Sequence, residues 1–244
     1  MKRAVLRQLQ DARSNKRPVA LVTDLEEGEE ALIDDGDLVA GELLLSTPVL
    51  HEIDAAVRYD RSGRLAEPNA HLFVEVFNPP LRLIVVGAVH IAQKLAPMAR
   101  LAEYEVTVVD PRRAFATDSR FPSVHLRHDW PDDALTALDL DRRTAVITLT
   151  HDPKLDDPAL VQALHSPCFY IGALGSTRTH AKRLERLSQE GFSDVQLERI
   201  HGPLGLPLGG RAPAEIALAA MAQMTQVLHG AAPLVKGAKP AAVG

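Results

Sequence analysis

The tripeptide Thr150-His151-Asp152 sets a hydroxyl, an imidazole and a carboxylate at the end of an apolar run. An imidazole exchanges its proton near neutral pH and a carboxylate can orient it, so His151 and Asp152 are candidates for acid–base chemistry. Neighbours on extended backbone point apart, which leaves a second reading, a capped turn ahead of a helix. A second group, Gly172-Ala173-Leu174-Gly175-Ser176-Thr177-Arg178, has the composition of an anion loop. Gly172 and Gly175 permit close approach, Ser176 or Thr177 can cap the following helix, and Arg178 brings positive charge.

A third group, Gly87-Ala88-Val89-His90-Ile91-Ala92, follows the run LRLIVV. A dinucleotide fingerprint at this place reads G-x-G-x-x-G/A. Gly87 and Ala92 satisfy it, but Val89 replaces the glycine that admits a pyrophosphate. Asp110 follows Gly87 by 23 residues, where such folds place an acid for a ribose hydroxyl. With Pro111 it is equally a turn cap. Arg112 and Arg113 either clamp a phosphate or stand in solvent. His90 either faces the same crevice or caps the helix. Cys168 reads as a small buried hydrophobe, and 202–210 is an apolar, glycine-rich loop that could be a lid or a wall.

These groups need a scaffold that gathers them. Strands are expected at 81–86, 105–109, 124–126, 145–149 and 169–171. Helices are expected at 91–101, 132–138, 158–164, 178–190 and 214–228. Such alternation predicts an α/β domain, a Rossmann-like parallel sheet with helices on both faces, over 81–229. Ligands of such sheets bind outside the carboxyl ends of the strands, and each group above lies at one. Before it, 1–78 reads as a small α+β domain. An amphipathic helix opens it, Asp35-Gly36 marks a hairpin, and Thr47 caps a helix with Pro48 in its first turn. The linker is Asn78-Pro79-Pro80, and 230–244 reads as a disordered tail.

Composition narrows the classes. Between Asp24 and Asp54 there are eleven acids and no Lys or Arg, which argues against nucleic acid and reads as a solvated face or a protein-docking surface. No apolar run reaches the roughly 20 residues of a membrane helix. The first residues lack a signal core, and the one cysteine suits a reducing cytoplasm, so a cytoplasmic location is expected. No Cys/His cluster has metal-ligand spacing.

Four segments in order, VVGAVHIAQKLAPMARLAEYEVTVVDPR, ITLTHDPKLD, YIGALGSTRTHAKRLERLSQEGFS and RIHGPLGLPLGGRAPAEIALAAMAQM, resemble the XdhC/CoxI-like accessory proteins of molybdenum hydroxylases. The resemblance implies a maturation factor, not itself an enzyme. It would bind molybdenum cofactor (molybdopterin or its dinucleotide form) transiently, assist its sulfuration with a cysteine desulfurase, and deliver it to a xanthine or carbon monoxide dehydrogenase apo-enzyme. It also implies a homodimer. The cofactor-binding residues would be Gly87, Ala88, His90, Asp110, Arg112, Thr150, His151, Gly172, Gly175, Ser176 and Arg178, with no resident metal. Two departures stand out. The family turn G-A-G-H-V-A has Val89 for its second glycine, and Val39-Ala40-Gly41-Glu42-Leu43 stands where the family carries Gly-Gly-Cys. An NAD(P)-dependent oxidoreductase and an interaction module without a ligand are the alternative readings.

Overall fold

The structure is a computed structural model and describes residues 2–230. The tail expected from 230 onward therefore lies, beyond Gly230, outside the described residues. The chain divides into two compact units between Pro79 and Pro80.

The first unit is built on an antiparallel sheet of β1 (Val19–Asp24), β2 (Glu30–Asp34), β3 (Asp37–Gly41), β4 (Gly63–Arg64) and β5 (Leu72–Phe77), ordered β3-β2-β1-β5-β4. Side chains alternate across a strand. Val19 and Leu21 of β1 therefore meet Val5, Leu9 and Ala12 of α1 (Arg3–Ser14), while Ala20 and Val22 meet Val49 and Ile53 of α2 (Thr47–Arg58). Asp35 and Gly36 both hold positive φ, as the tight β2–β3 turn requires. Thr47 is not the cap expected from sequence. It is the first helical residue, and Ser46 holds the N-cap position.

The second unit is a six-stranded sheet of β6 (Arg82–Val86), β7 (Glu105–Val109), β8 (His125–Arg127), β9 (Thr144–Thr148), β10 (Tyr170–Ala173) and β11 (Ile200–His201). Its order is β11-β10-β9-β6-β7-β8, and every pairing is parallel. Sequential numbering within the unit makes this 6-5-4-1-2-3, the doubly wound order of a dinucleotide-binding sheet. Leu83 and Val85 face α3 (His90–Leu101) and α8 (Pro213–Leu228). Ile84 and Val86 face α4 (Pro131–Ala137) and α5 (Pro153–His165). Two-sided burial explains the unbroken apolar run that opened the unit. The remaining helices are α6 (Thr177–Gln189) and the short α7 (Asp194–Leu197).

The helix expected to start at Pro158 starts at Pro153. Asp152 caps it, accepting the Lys154 N–H at 3.0 Å, and Pro153 fills the first position, where no N–H is needed. Pro158 stands inside the helix. The short pieces α7 and β11 carried no pattern long enough to be read.

Candidate functional site

The sheet reverses direction of winding between β6 and β9, and the loops leaving these strands touch. Gly87 has φ +110°, and a Cβ built on it would stand 2.6 Å from Thr150 Cγ2. Glycine is needed here for a turn against Thr150, whatever binds beside it. The donors of this turn are already engaged. The Val89 N–H bonds the Gly87 carbonyl at 2.9 Å, and the Ala88 N–H bonds Asp110 Oδ2 at 2.8 Å. Ala88 points its methyl into the core, and His90 is the exposed first residue of α3.

Asp110 is fully buried and accepts four hydrogen bonds. Oδ1 takes the backbone N–H and Nε of Arg112, at 3.0 and 2.8 Å. Oδ2 takes Ala88 N–H and Arg112 Nη2, each at 2.8 Å. Burial works to raise this carboxyl's pKa, but Arg112 and the two N–H groups outweigh it and hold the pKa below the ordinary value. With about four lone-pair sites taken, the carboxylate has none for a ribose hydroxyl. The sequence reading of Asp110 as a ribose ligand is thereby replaced by a role as a brace between β7 and the Gly87 turn. Arg112, expected as a phosphate clamp, is the other half of that brace and lies over the Phe115 ring at 4.8 Å.

The open space lies on the other side of Thr150. A cavity of about 250 Å³ is lined by His151, Pro153, Asp156, Arg178, Thr179, Lys182, Arg183 and Arg186. His151 has φ +62°, a strained conformation for a non-glycine residue. The strain is held by its N–H, which donates to Asp156 Oδ2 at 3.1 Å. Asp156 Oδ1 accepts the Thr150 hydroxyl at 2.7 Å. Burial dominates at Asp156 and moves its carboxyl above the usual range, against the bonds from Thr150. Arg183 is 2% exposed; its Nη2 donates to the Leu174 carbonyl at 2.9 Å and lies 3.8 Å from Asp156. Its Nε and Nη1 have no partner. Burial lowers the Arg183 pKa, while Asp156 and Asp157 pull it back up. Arg186 is committed to Asp157, through Nε at 2.5 Å and Nη2 at 2.9 Å.

Of the residues expected in the site, His151 and Arg178 line this cavity, with Thr150 and Gly175 beside it. Ser176 caps α6, accepting the Thr179 N–H at 3.2 Å. Gly172 does not serve ligand approach; a Cβ there would stand 2.7 Å from both Leu204 and Tyr170, so packing excludes one. The proposed His151–Asp152 acid–base pair does not form. Asp152 turns to the start of α5, and Asp156 is the carboxylate that reaches His151. Cys168 is buried against the Ser166 hydroxyl, and burial pushes its thiol pKa up, as suits a core residue. The 202–210 loop is tied down in its first half. Gln223 accepts the Gly205 N–H at 2.9 Å, and Leu206 N–H bonds Ala219 at 3.1 Å. That half is a wall packed on α8, not a lid.

Asp156, Thr179, Lys182, Arg183 and Arg186 escaped the sequence reading. A signal existed: Arg178, Lys182 and Arg186 recur at every fourth position, which stacks them on one helix face. Among the described residues no group of His, Cys, Asp or Glu could hold a metal ion. No helix among them is long and apolar enough to cross a membrane. The arrangement can bind and orient an anion.

The sheet order and the crevice at its reversal define a doubly wound Rossmann-type α/β domain, which follows a small antiparallel unit in the chain. Residues 83–224, more than half of the chain, match the XdhC Rossmann domain, and the chain belongs to that family. It is 32% identical over 162 residues to the molybdenum cofactor insertion chaperone PaoD of Escherichia coli K12, covering 66% of this chain and 45% of that protein. It is 29% identical over 161 residues to a probable xanthine dehydrogenase component of Bacillus subtilis 168, covering 66% and 47%. The matched stretch spans less than half the length of either relative. A crystal structure described as a xanthine dehydrogenase from Bacillus halodurans superposes with a TM-score of 0.69 at 25% identity, covering 92% of this chain and 66% of that one.

Proposed function

We propose that this chain is a maturation factor that holds molybdenum cofactor by its phosphate end and passes it to a molybdenum hydroxylase of the xanthine dehydrogenase type. The observation that carries the reading is Arg183: a guanidinium buried with two idle donors at the wall of a cationic cavity suits an anionic group. Family membership and the likeness to the molybdenum cofactor insertion chaperone PaoD support molybdenum cofactor as the guest. The fit is one-sided. Phosphate suits the cavity, while among the described residues no group of three or more His, Cys, Asp or Glu is gathered to hold a metal ion, and Cys168 is buried. When bound, the cofactor supplies the molybdenum centre that the recipient enzyme uses. The chain's own residues bind, orient and release it. In the same reading the chain works in the cytoplasm as a homodimer, beside a cysteine desulfurase while the cofactor is sulfurated. An NAD(P) role draws nothing from the Gly87 turn, whose Ala88 and Val89 N–H groups are spent within the chain.

The test is to purify the chain from cells that make the cofactor and quantify released pterin by its fluorescence. Pterin in near-stoichiometric amount is expected, with reduced hydroxylase activity in cells lacking the gene. Pterin-free protein combined with undiminished hydroxylase activity would end the reading.

A further inference from the structure

The helix face that closes the cavity carries more positive charge than its neighbours balance. Four cationic side chains, Arg178, Lys182, Arg183 and Arg186, line it against one carboxylate, Asp156. Arg186 is neutralised by Asp157. Among the described residues Arg178 and Lys182 enter no ion pair, and both are exposed at the rim. Arg183 lies below them with Nε and Nη1 unpartnered, and idle buried donors are costly to a folded chain. Its distance to Asp156, 3.8 Å, is outside hydrogen-bond range, so that carboxylate does not satisfy it. Such a group is completed by a bound ligand, ion or water. The start of α6 adds its dipole from the same side.

We propose that this cavity is a phosphate site, in which Arg183 at the base and Arg178 and Lys182 at the rim grip one phosphate group. The volume of about 250 Å³ falls below the roughly 300–1,000 Å³ of a pocket that encloses a whole organic ligand. It therefore takes a phosphate head and leaves the rest of the guest outside. As the grip for the cofactor's phosphate end the site rests on the proposed function, but the phosphate chemistry stands without it.

Inorganic phosphate, then pyrophosphate, is titrated calorimetrically into the full chain. The variants are Arg183→Met, the double change Arg178→Gln with Lys182→Gln, and Lys94→Gln on α3 as an exposed control. Pterin content of each protein, purified from cofactor-making cells, is measured in parallel. The expected result is phosphate binding by the wild type and by Lys94→Gln, weakened at least tenfold in the other two. The double variant changes only exposed residues, so it keeps the test decisive if Arg183→Met fails to fold. No phosphate binding in the millimolar range, or equal binding in all four proteins, overturns the site. Pterin retained at the same near-stoichiometric level in all four overturns the site as the cofactor's grip, while leaving the carrier reading intact. Phosphate binding lost in the variants, with pterin absent from every preparation, supports the site and removes the carrier reading instead.

Discussion

Replacing Gly87 by alanine tests whether the loops after β6 and β9 are locked by direct contact. Gly87 holds φ +110°, and an added Cβ would stand 2.6 Å from Thr150 Cγ2 and 3.3 Å from Thr150 N. Backbone strain at such a φ costs about 1–3 kcal/mol. Overpacking adds about 1–3 kcal/mol. Thr150 cannot swing clear without loss, because its hydroxyl donates to Asp156 at 2.7 Å and accepts the Asp152 N–H at 3.0 Å. Gly87→Ala should therefore destabilise the second unit by about 2–6 kcal/mol. The only tryptophan of the chain, Trp130, lies in this unit at the start of α4, so its fluorescence during urea denaturation follows the right transition. Thr150→Ser removes Cγ2 and keeps the hydroxyl; alone it should lose about 1 kcal/mol or less. Combined with Gly87→Ala it relieves the overlap, so the pair should recover about 1–3 kcal/mol relative to the sum of the single losses. Single losses that add to within about 0.5 kcal/mol would show that the two loops do not meet, and the crevice geometry would be wrong.

Asp110→Asn should lower the stability of the second unit by about 2–4 kcal/mol near neutral pH, since charge-assisted bonds contribute about 1.5–3 kcal/mol each and one acceptor oxygen becomes a donor. Because the folded-state pKa of Asp110 is lowered, its contribution is complete above the ordinary Asp value of 3.8 and fades as pH falls through the folded value; melts of the two proteins should converge in acid, and a constant gap would refute the charged brace. His201 stacks on Tyr170 at 4.8 Å and 8°, and burial lowers its pKa. The unfolded chain then takes up a proton below the ordinary value of 6.5 while the folded chain resists it, so stability falls as pH drops through that range; His201→Phe keeps the stack and should show a smaller fall in Tm between pH 7.5 and 5.5, whereas an identical fall would remove His201 from the acid response.

The architecture was legible because parallel strands buried on both faces leave an unmistakable trace. LRLIVV followed by a glycine turn, then strand and helix in alternation, admits few folds. The ends of the strands were also legible, since loops there must be polar or glycine-rich. What could not be read was which polar residue meets which. His151 and Asp152 are neighbours in the chain, yet the backbone of His151 is reached by Asp156, carried around one turn of a helix whose start depends on the Asp152 cap. Arg183 gave no local sign, because burial of a guanidinium is decided by how α6 packs on α5 and not by its own neighbours.

Val89 gains its meaning from these same contacts. In a turn that cradles a diphosphate, the middle glycine gives access to free backbone N–H groups. Here the Ala88 N–H is held by Asp110 and the Val89 N–H by Gly87, so a glycine at position 89 would open a path to donors that are already spent. Val89 therefore sits beside a turn whose Ala88 and Val89 donors are committed within the chain. The idle donors stand instead at Arg183, across Thr150, in the half of the sheet formed by β9 and β10. In the proposed site the anion is gripped from the loops after β9 and β10 and from the face of α6, and the Gly87 turn serves as packing against Thr150.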